Sequence, residues 1–164
     1  MLSFRPDRSL LGAIVALACA LPGVADASSC ESIKDADARN HCRARERGNK
    51  SACESIRDSD RRNLCRAEVG KNRSACKSIR NSDMRNKCRA IAGGGSSSSS
   101  CESIRDSDER NHCRALAKKN KSACESIRDS DKRNHCRAVV ARNKSACESI
   151  RDSSLRNRCR SEAR

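Results

Sequence analysis

An all-α fold, built of tandem disulfide-stapled two-helix hairpins stacked as a short α-solenoid in two three-repeat lobes, is predicted by three features of this 164-residue chain. Cysteines recur in pairs twelve residues apart, six times over. Each pair encloses helix-start signals and shows no two-residue alternation of apolar and polar side chains. A Gly/Ser run separates the third pair from the fourth. Composition explains why staples are needed. From Ser28 onward only 13 Leu, Ile, Val or Phe residues stand among 137, and the whole chain carries a formal net charge of +15. A chain so charged and so poor in apolar side chains ordinarily stays unfolded. The 12 cysteines in the same stretch offer a substitute for the missing core.

Residues 1–27 read as a secretory signal. Arg5 and Arg8 give a basic start, Leu10 to Leu21 is an apolar run too short to span a bilayer, and Pro22-Gly23 breaks it. Ala25-Asp26-Ala27 then forms a small-x-small cleavage site, with cleavage predicted after Ala27. Export to the periplasm or the exterior follows, and with it an environment in which disulfides persist. After cleavage no transmembrane segment is expected.

The remainder is one unit repeated six times, with a period of 23 residues broken once by a step of 25. Repeats one to three occupy residues 28–92, a flexible Gly/Ser linker residues 93–100, and repeats four to six residues 101–164. The second unit runs Cys53-Glu-Ser-Ile-Arg-Asp-Ser-Asp-Arg-Arg-Asn-Leu-Cys65-Arg-Ala. Ser51 with Glu54 fits a capping box, so a short helix is expected to start at Ser51 and run through Ile56. It cannot reach Cys65 unbroken, because twelve helical residues rise about 18 Å while disulfide Cα atoms sit about 4–7 Å apart. Asp58-Ser59-Asp60 supplies the break and the cap of a second helix. That helix carries Arg62, Cys65 and Arg66 and is expected to end near Asn72, with Asn in the left-handed position after it.

Periodicity reduces the possible cysteine pairings to two. Bridges run either within units (Cys30–Cys42, Cys53–Cys65, Cys76–Cys88, Cys101–Cys113, Cys124–Cys136, Cys147–Cys159) or between units, as in Cys65–Cys76. Pairing within units is preferred, since the two-residue lengthening at the linker then falls outside every loop.

Candidate chemistry is sparse. His41, His112 and His135 each precede a cysteine, but Leu64, Lys87 and Arg158 hold that position in the other copies. They read as variable surface positions, and no metal or other cofactor is expected. The Asp-x-Asp segment lacks the Gly and the final Glu of a calcium loop. No Ser-His-acid or Cys-His constellation recurs, so an enzyme is not expected. What does recur is an arginine pair four residues apart on the second helix: Arg39 with Arg43, Arg62 with Arg66, Arg85 with Arg89, Arg110 with Arg114, Arg133 with Arg137, and Arg156 with Arg160. Lys50, Arg73, Lys121 and Lys144 add a basic point in the turns. Stacked, these form a ladder suited to an anionic polymer, an envelope surface or an acidic protein. A competing assignment pairs Arg62 with Asp58 and uses the other arginines as bridges inside the scaffold. Sequence-specific nucleic acid is disfavoured, because no aromatic side chain is available to stack on bases.

The unit Cys-Glu-Ser-Ile-Arg-Asp-Ser-Asp-x-Arg-Asn-x-Cys-Arg-Ala resembles repeats in uncharacterised exported cysteine-rich proteins of bacteria, a likeness covering residues 28–164 that brings no activity with it. In architecture it is similar to helical-hairpin repeat families that serve as interaction scaffolds. The expected function is therefore a non-catalytic binding scaffold for an anionic or acidic partner. The alternatives are a cationic effector acting on membranes and a purely structural envelope protein.

Overall fold

A computed structural model describes residues 30–92 and 97–163, so the predicted signal lies outside the described residues. Six α-helices recur in order: α1 (Ala36–Arg47), α2 (Ser59–Val69), α3 (Ser82–Ile91), α4 (Ser107–Lys118), α5 (Ser130–Ala141) and α6 (Ser153–Glu162). A six-residue 3-10 helix precedes each of the last five: Lys50–Ser55, Arg73–Ser78, Ser98–Ser103, Lys121–Ser126 and Lys144–Ser149. In the first unit Cys30 to Ser32 form a turn in its place. All six disulfides join cysteines of the same unit, with Cα–Cα distances of 5.5 to 5.7 Å.

Each α-helix begins where the sequence predicts. Asp35, Asp58, Asn81, Asp106, Asp129 and Asp152 are the N-caps, each accepting from a backbone N–H three residues on. The first helix of the unit differs from the prediction in two respects. It is a 3-10 helix capped by Asn49, Asn72, Asn120 or Asn143, whose side chain accepts from the N–H of the serine two residues on. The serine is thus inside the helix, and the capping box does not form because Glu54 reaches across to Arg66 instead. The left-handed residue also sits one place earlier than expected, at Gly48, Lys71, Lys119 and Arg142, which leaves the asparagine free to cap the next 3-10 helix.

The core is one small cluster per unit, built on the disulfide and the unit's isoleucine. Ile33, Ile56, Ile79, Ile104, Ile127 and Ile150 are all at most 2% exposed, as much a part of the interior as the cysteines beside them. From the preceding unit comes one alanine (Ala44, Ala67, Ala90, Ala115 or Ala138) that lies under the next disulfide and isoleucine. No larger side chain would let the backbones approach so closely.

Neighbouring units are also stitched by polar groups. Asn40 donates to the carbonyl of Ser55 at 2.9 Å, and Asn63, Asn86, Asn111 and Asn134 repeat the bond to Ser78, Ser103, Ser126 and Ser149. The last of the series, Asn157, donates to Ser32 in the first unit at 3.5 Å. Helix α6 packs on α1, less extensively than each helix packs on its successor, and α3 packs on α4 across the Gly/Ser run. The solenoid therefore curves through a full circle and closes, and the two groups of three meet at both ends. The serines Ser98, Ser99 and Ser100 already belong to a 3-10 helix.

A carboxylate clamp distinguishes the junctions. Asp37 accepts from the backbone N–H groups of Arg57 and Asp58, both at 2.9 Å, and Asp60, Asp108 and Asp131 hold the next unit in the same way. These backbone donors hold the four carboxyls below their ordinary pKa. Two junctions lack the clamp. Asp83, facing the linker junction, has a buried Oδ1 with no partner, and Ser154 stands at this position where α6 meets α1. Ser161 also replaces the buried alanine there. Replacing Ser154→Asp is expected to restore the clamp and slow amide exchange at Lys34 and Asp35. Exchange unchanged from the wild-type rate would show that this junction does not use it.

Candidate functional site

Both arginine registers are engaged inside the scaffold. The first arginine of each pair closes the turn between the two helices. Arg39, Arg62, Arg85, Arg110, Arg133 and Arg156 donate from Nη1 to the carbonyl of the unit's own isoleucine at 2.6 to 2.8 Å. That carbonyl has left its 3-10 helix and would otherwise lack a partner, so the bond completes its hydrogen bonding. The second arginine grips a glutamate two-pronged: Arg43 with Glu31, Arg66 with Glu54, Arg114 with Glu102, Arg137 with Glu125, and Arg160 with Glu148. The Nε contacts are 2.7 to 2.8 Å. These pairs have the same twelve-residue separation as the disulfides, one place further along, and the guanidinium hydrogen bond holds each glutamate below its ordinary pKa. Arg89 is the exception, because its unit carries Lys77 where the others carry glutamate. Arg62 does not pair with Asp58, whose side chain caps α2.

Unengaged cations lie elsewhere, and six of them recur at one position of the unit. Lys34, Arg57, Arg80, Arg105, Arg128 and Arg151 follow the isoleucine in every unit, are exposed, and make no side-chain hydrogen bond or ion pair. Their recurrence is as regular as that of the arginine pair. The pair attracts attention by its helical spacing, whereas these residues sit in the turn before the α-helix, where no spacing rule singles them out.

Closure gives the ring a lumen lined by positions that vary between copies. Helix positions four before, one before and three after the second cysteine share one face. Their side chains reach across to neighbouring helices or into the central cavity. His41 Nε2 lies 3.1 Å from Glu68, Arg45 bridges Glu68 at 3.6 Å and Glu162 at 3.2 Å, and His135 Nε2 lies 3.0 Å from Glu162. The rings of His112 and His135 are 5.3 Å apart, and Lys87 pairs with Glu109 at 2.9 Å. The histidines are thus drawn inward and not left on the open surface: His135 is 3% exposed, Nε2 of His112 is buried, and His41 is half-buried. An open stack would leave this face to water, and closure turns it inward.

Burial, reinforced by the charges of Lys87 and His135, holds His112 well below the ordinary histidine pKa, so it is neutral in the folded ring. The charge of Lys87 draws Glu109 down to about 2. At Glu162 burial acts upward, but the His135 hydrogen bond and the charges of His135 and Arg45 outweigh it and leave it well below its ordinary value. A histidine depressed in the folded state binds its proton preferentially when unfolded. Its effect on stability is nil above about pH 6.5 and becomes increasingly unfavourable as pH falls below it. The carboxylate contributions are lost only below about pH 4.5, in a separate window. Between about pH 7.5 and about pH 5 the denaturant midpoint of the parent is expected to fall, and His112→Leu is expected to flatten that fall. An equally steep fall in the variant would remove His112 as its source.

Cys30, Cys42 and Glu46 cluster closely enough to suggest a metal site, but the two sulfurs form a disulfide and offer no thiolate. Among the described residues no helix is long and apolar enough to cross a membrane. Six disulfides mark a protein that matures in an oxidising environment. No family model matches the chain, and neither the curated proteins nor the solved structures give a match.

Proposed function

We propose that this is an exported, non-catalytic scaffold whose disulfide-stapled ring presents a circle of cations to an acidic protein or other anionic polymer. The observation carrying this reading is the exposed, unengaged residue after each isoleucine, from Lys34 to Arg151. Scaffold contacts account for most of the arginine pairs, so they do not need a partner to explain them. The circle makes no hydrogen bond or ion pair of this kind, although the charges of Arg57, Arg80, Arg128 and Arg151 favour the ionised clamp carboxylates beside them. Six like charges repeated at one position, in a chain of net charge +15, favour a polyanionic surface and set the rate and salt dependence of its capture. Export follows from the signal-like residues 1–27 and suits a protein whose stability rests on disulfides.

The test is retention of the oxidised protein on a polyglutamate matrix. Changing Arg57, Arg80, Arg105, Arg128 and Arg151 together to Gln is expected to bring elution to markedly lower salt while leaving the helical spectrum unchanged. Elution at the parent's salt concentration would overturn the reading.

A further inference from the structure

One mouth of the lumen holds a cavity of about 370 Å³, within the size range of small-molecule sites. Its walls come from α1, α4, α5 and α6 and the residues that end α4 and α5, so it exists only in the closed ring. The lining is divided. Leu116, Val139 and Val140 form an aliphatic side, while Arg45, Lys119 and Arg142 set three cations against the single carboxylate of Glu162. That carboxylate is occupied by Arg45 and His135. Lys119 and Arg142 have no side-chain partner. Both are the left-handed residues that terminate their helices, with φ of 50° and 53°, and this fixed backbone projects them at the mouth.

The same helix position supplies Arg45, Glu68, Ile91, Leu116, Val139 and Glu162 in the six units, so the lumen changes from charged to aliphatic around its circumference. Ion pairs of Arg45 with Glu68 and Glu162 occupy the charged part, and Val139 also packs on the core of the sixth unit, yet Leu116, Val139 and Val140 all still line the cavity. From this division we infer that the mouth of the lumen binds a small anionic amphiphile: a medium-length alkyl chain against Leu116, Val139 and Val140, with a carboxylate or similar head group between Lys119 and Arg142.

The probes are octanoate, decanoate, decanol and acetate, titrated calorimetrically into the full oxidised protein. Decanoate is expected to bind one per chain, about tenfold tighter than octanoate for its two extra buried methylenes. Decanol and acetate, each lacking one half of the recognition, are expected to bind at least about tenfold more weakly than decanoate. Replacing Lys119→Gly together with Arg142→Gly removes both cations, and glycine suits the left-handed backbone, as Gly48 already does in the first unit. This double variant is expected to lose about tenfold or more in decanoate affinity while keeping its retention on polyglutamate. Val139→Gln should weaken decanoate as well, with a parental thermal midpoint as the check on folding. The inference fails if decanoate does not bind, binds without fixed stoichiometry, is matched by decanol, or binds the double variant as well as the parent.

Discussion

Reduction of all six disulfides is expected to abolish the helical circular dichroism of the protein at room temperature, with no plateau at a partly helical intermediate. A bridge closing a 13-residue loop contributes about 3 kcal/mol in the chain-entropy model. A whole domain is ordinarily stable by only about 5–15 kcal/mol, so six bridges are comparable with everything else combined. The remaining apolar interior is one isoleucine and a few alanines per unit. Helices of 10 to 12 residues are also too short to persist alone. Removing a single internal bridge by changing Cys124 and Cys136 to Ala is the milder form of the experiment. It should cost about 3 kcal/mol or somewhat more, because the sulfurs are fully buried and leave a gap beside Ile127. A reduced protein with native helicity would mean that interlocking of the units, and not the covalent bridges, maintains the fold.

The second large effect is expected at the isoleucines, and it should depend on position in the ring. Ile127 is 1% exposed and packs on Ala115, Cys124, Cys136, Ala123 and Val140, so its shell is complete on both sides. Ile127→Ala is expected to cost about 2–5 kcal/mol, the ordinary range for truncating a fully enclosed aliphatic side chain. Ile33→Ala should fall at the lower end of that range. Its cluster consists of Cys30, Cys42 and Ala38, and the alanine that would cover it from the previous unit is replaced by Ser161. Denaturant midpoints of the two variants measure the difference directly. Equal losses would imply that the α6–α1 contact packs as tightly as an internal one.

The repeat, the hairpin and the place of the second helix are all legible in the sequence because each is set by local chemistry. Twelve residues between cysteines force a reversal, and an Asp-Ser-Asp segment can do little in that reversal except cap a helix. The start of the first helix is not legible, for a reason that is also local. Ser51 and Glu54 satisfy the capping-box pattern, but Glu54 has a stronger partner in Arg66, and that competition is visible only when the two helices face each other. Closure leaves no trace in the period. It depends on the rotation from each unit to the next, which is set by how closely Ala44 and its counterparts admit the neighbouring isoleucine. The sequence therefore points the histidines to the surface: nothing in a 23-residue period says that the varying face of α1 to α6 turns inward. Comparison among copies does carry a signal. Positions 38, 41, 45 and their counterparts differ most between units, while the Arg-Asn and Cys-Arg steps between them are fixed.

Because α6 packs on α1 and Asn157 bonds back to Ser32, the sixth and first units are neighbours in space, although this junction lacks the clamp and the buried alanine of the internal ones. Joining the two ends by a short tether and cutting instead between residues 92 and 97 would give a circularly permuted chain with the same bridges, the same lumen and the same neighbours. The order in which the six units are written along the chain is then one of several that could specify the same cyclic object, and its two unclamped junctions are the natural places to open it.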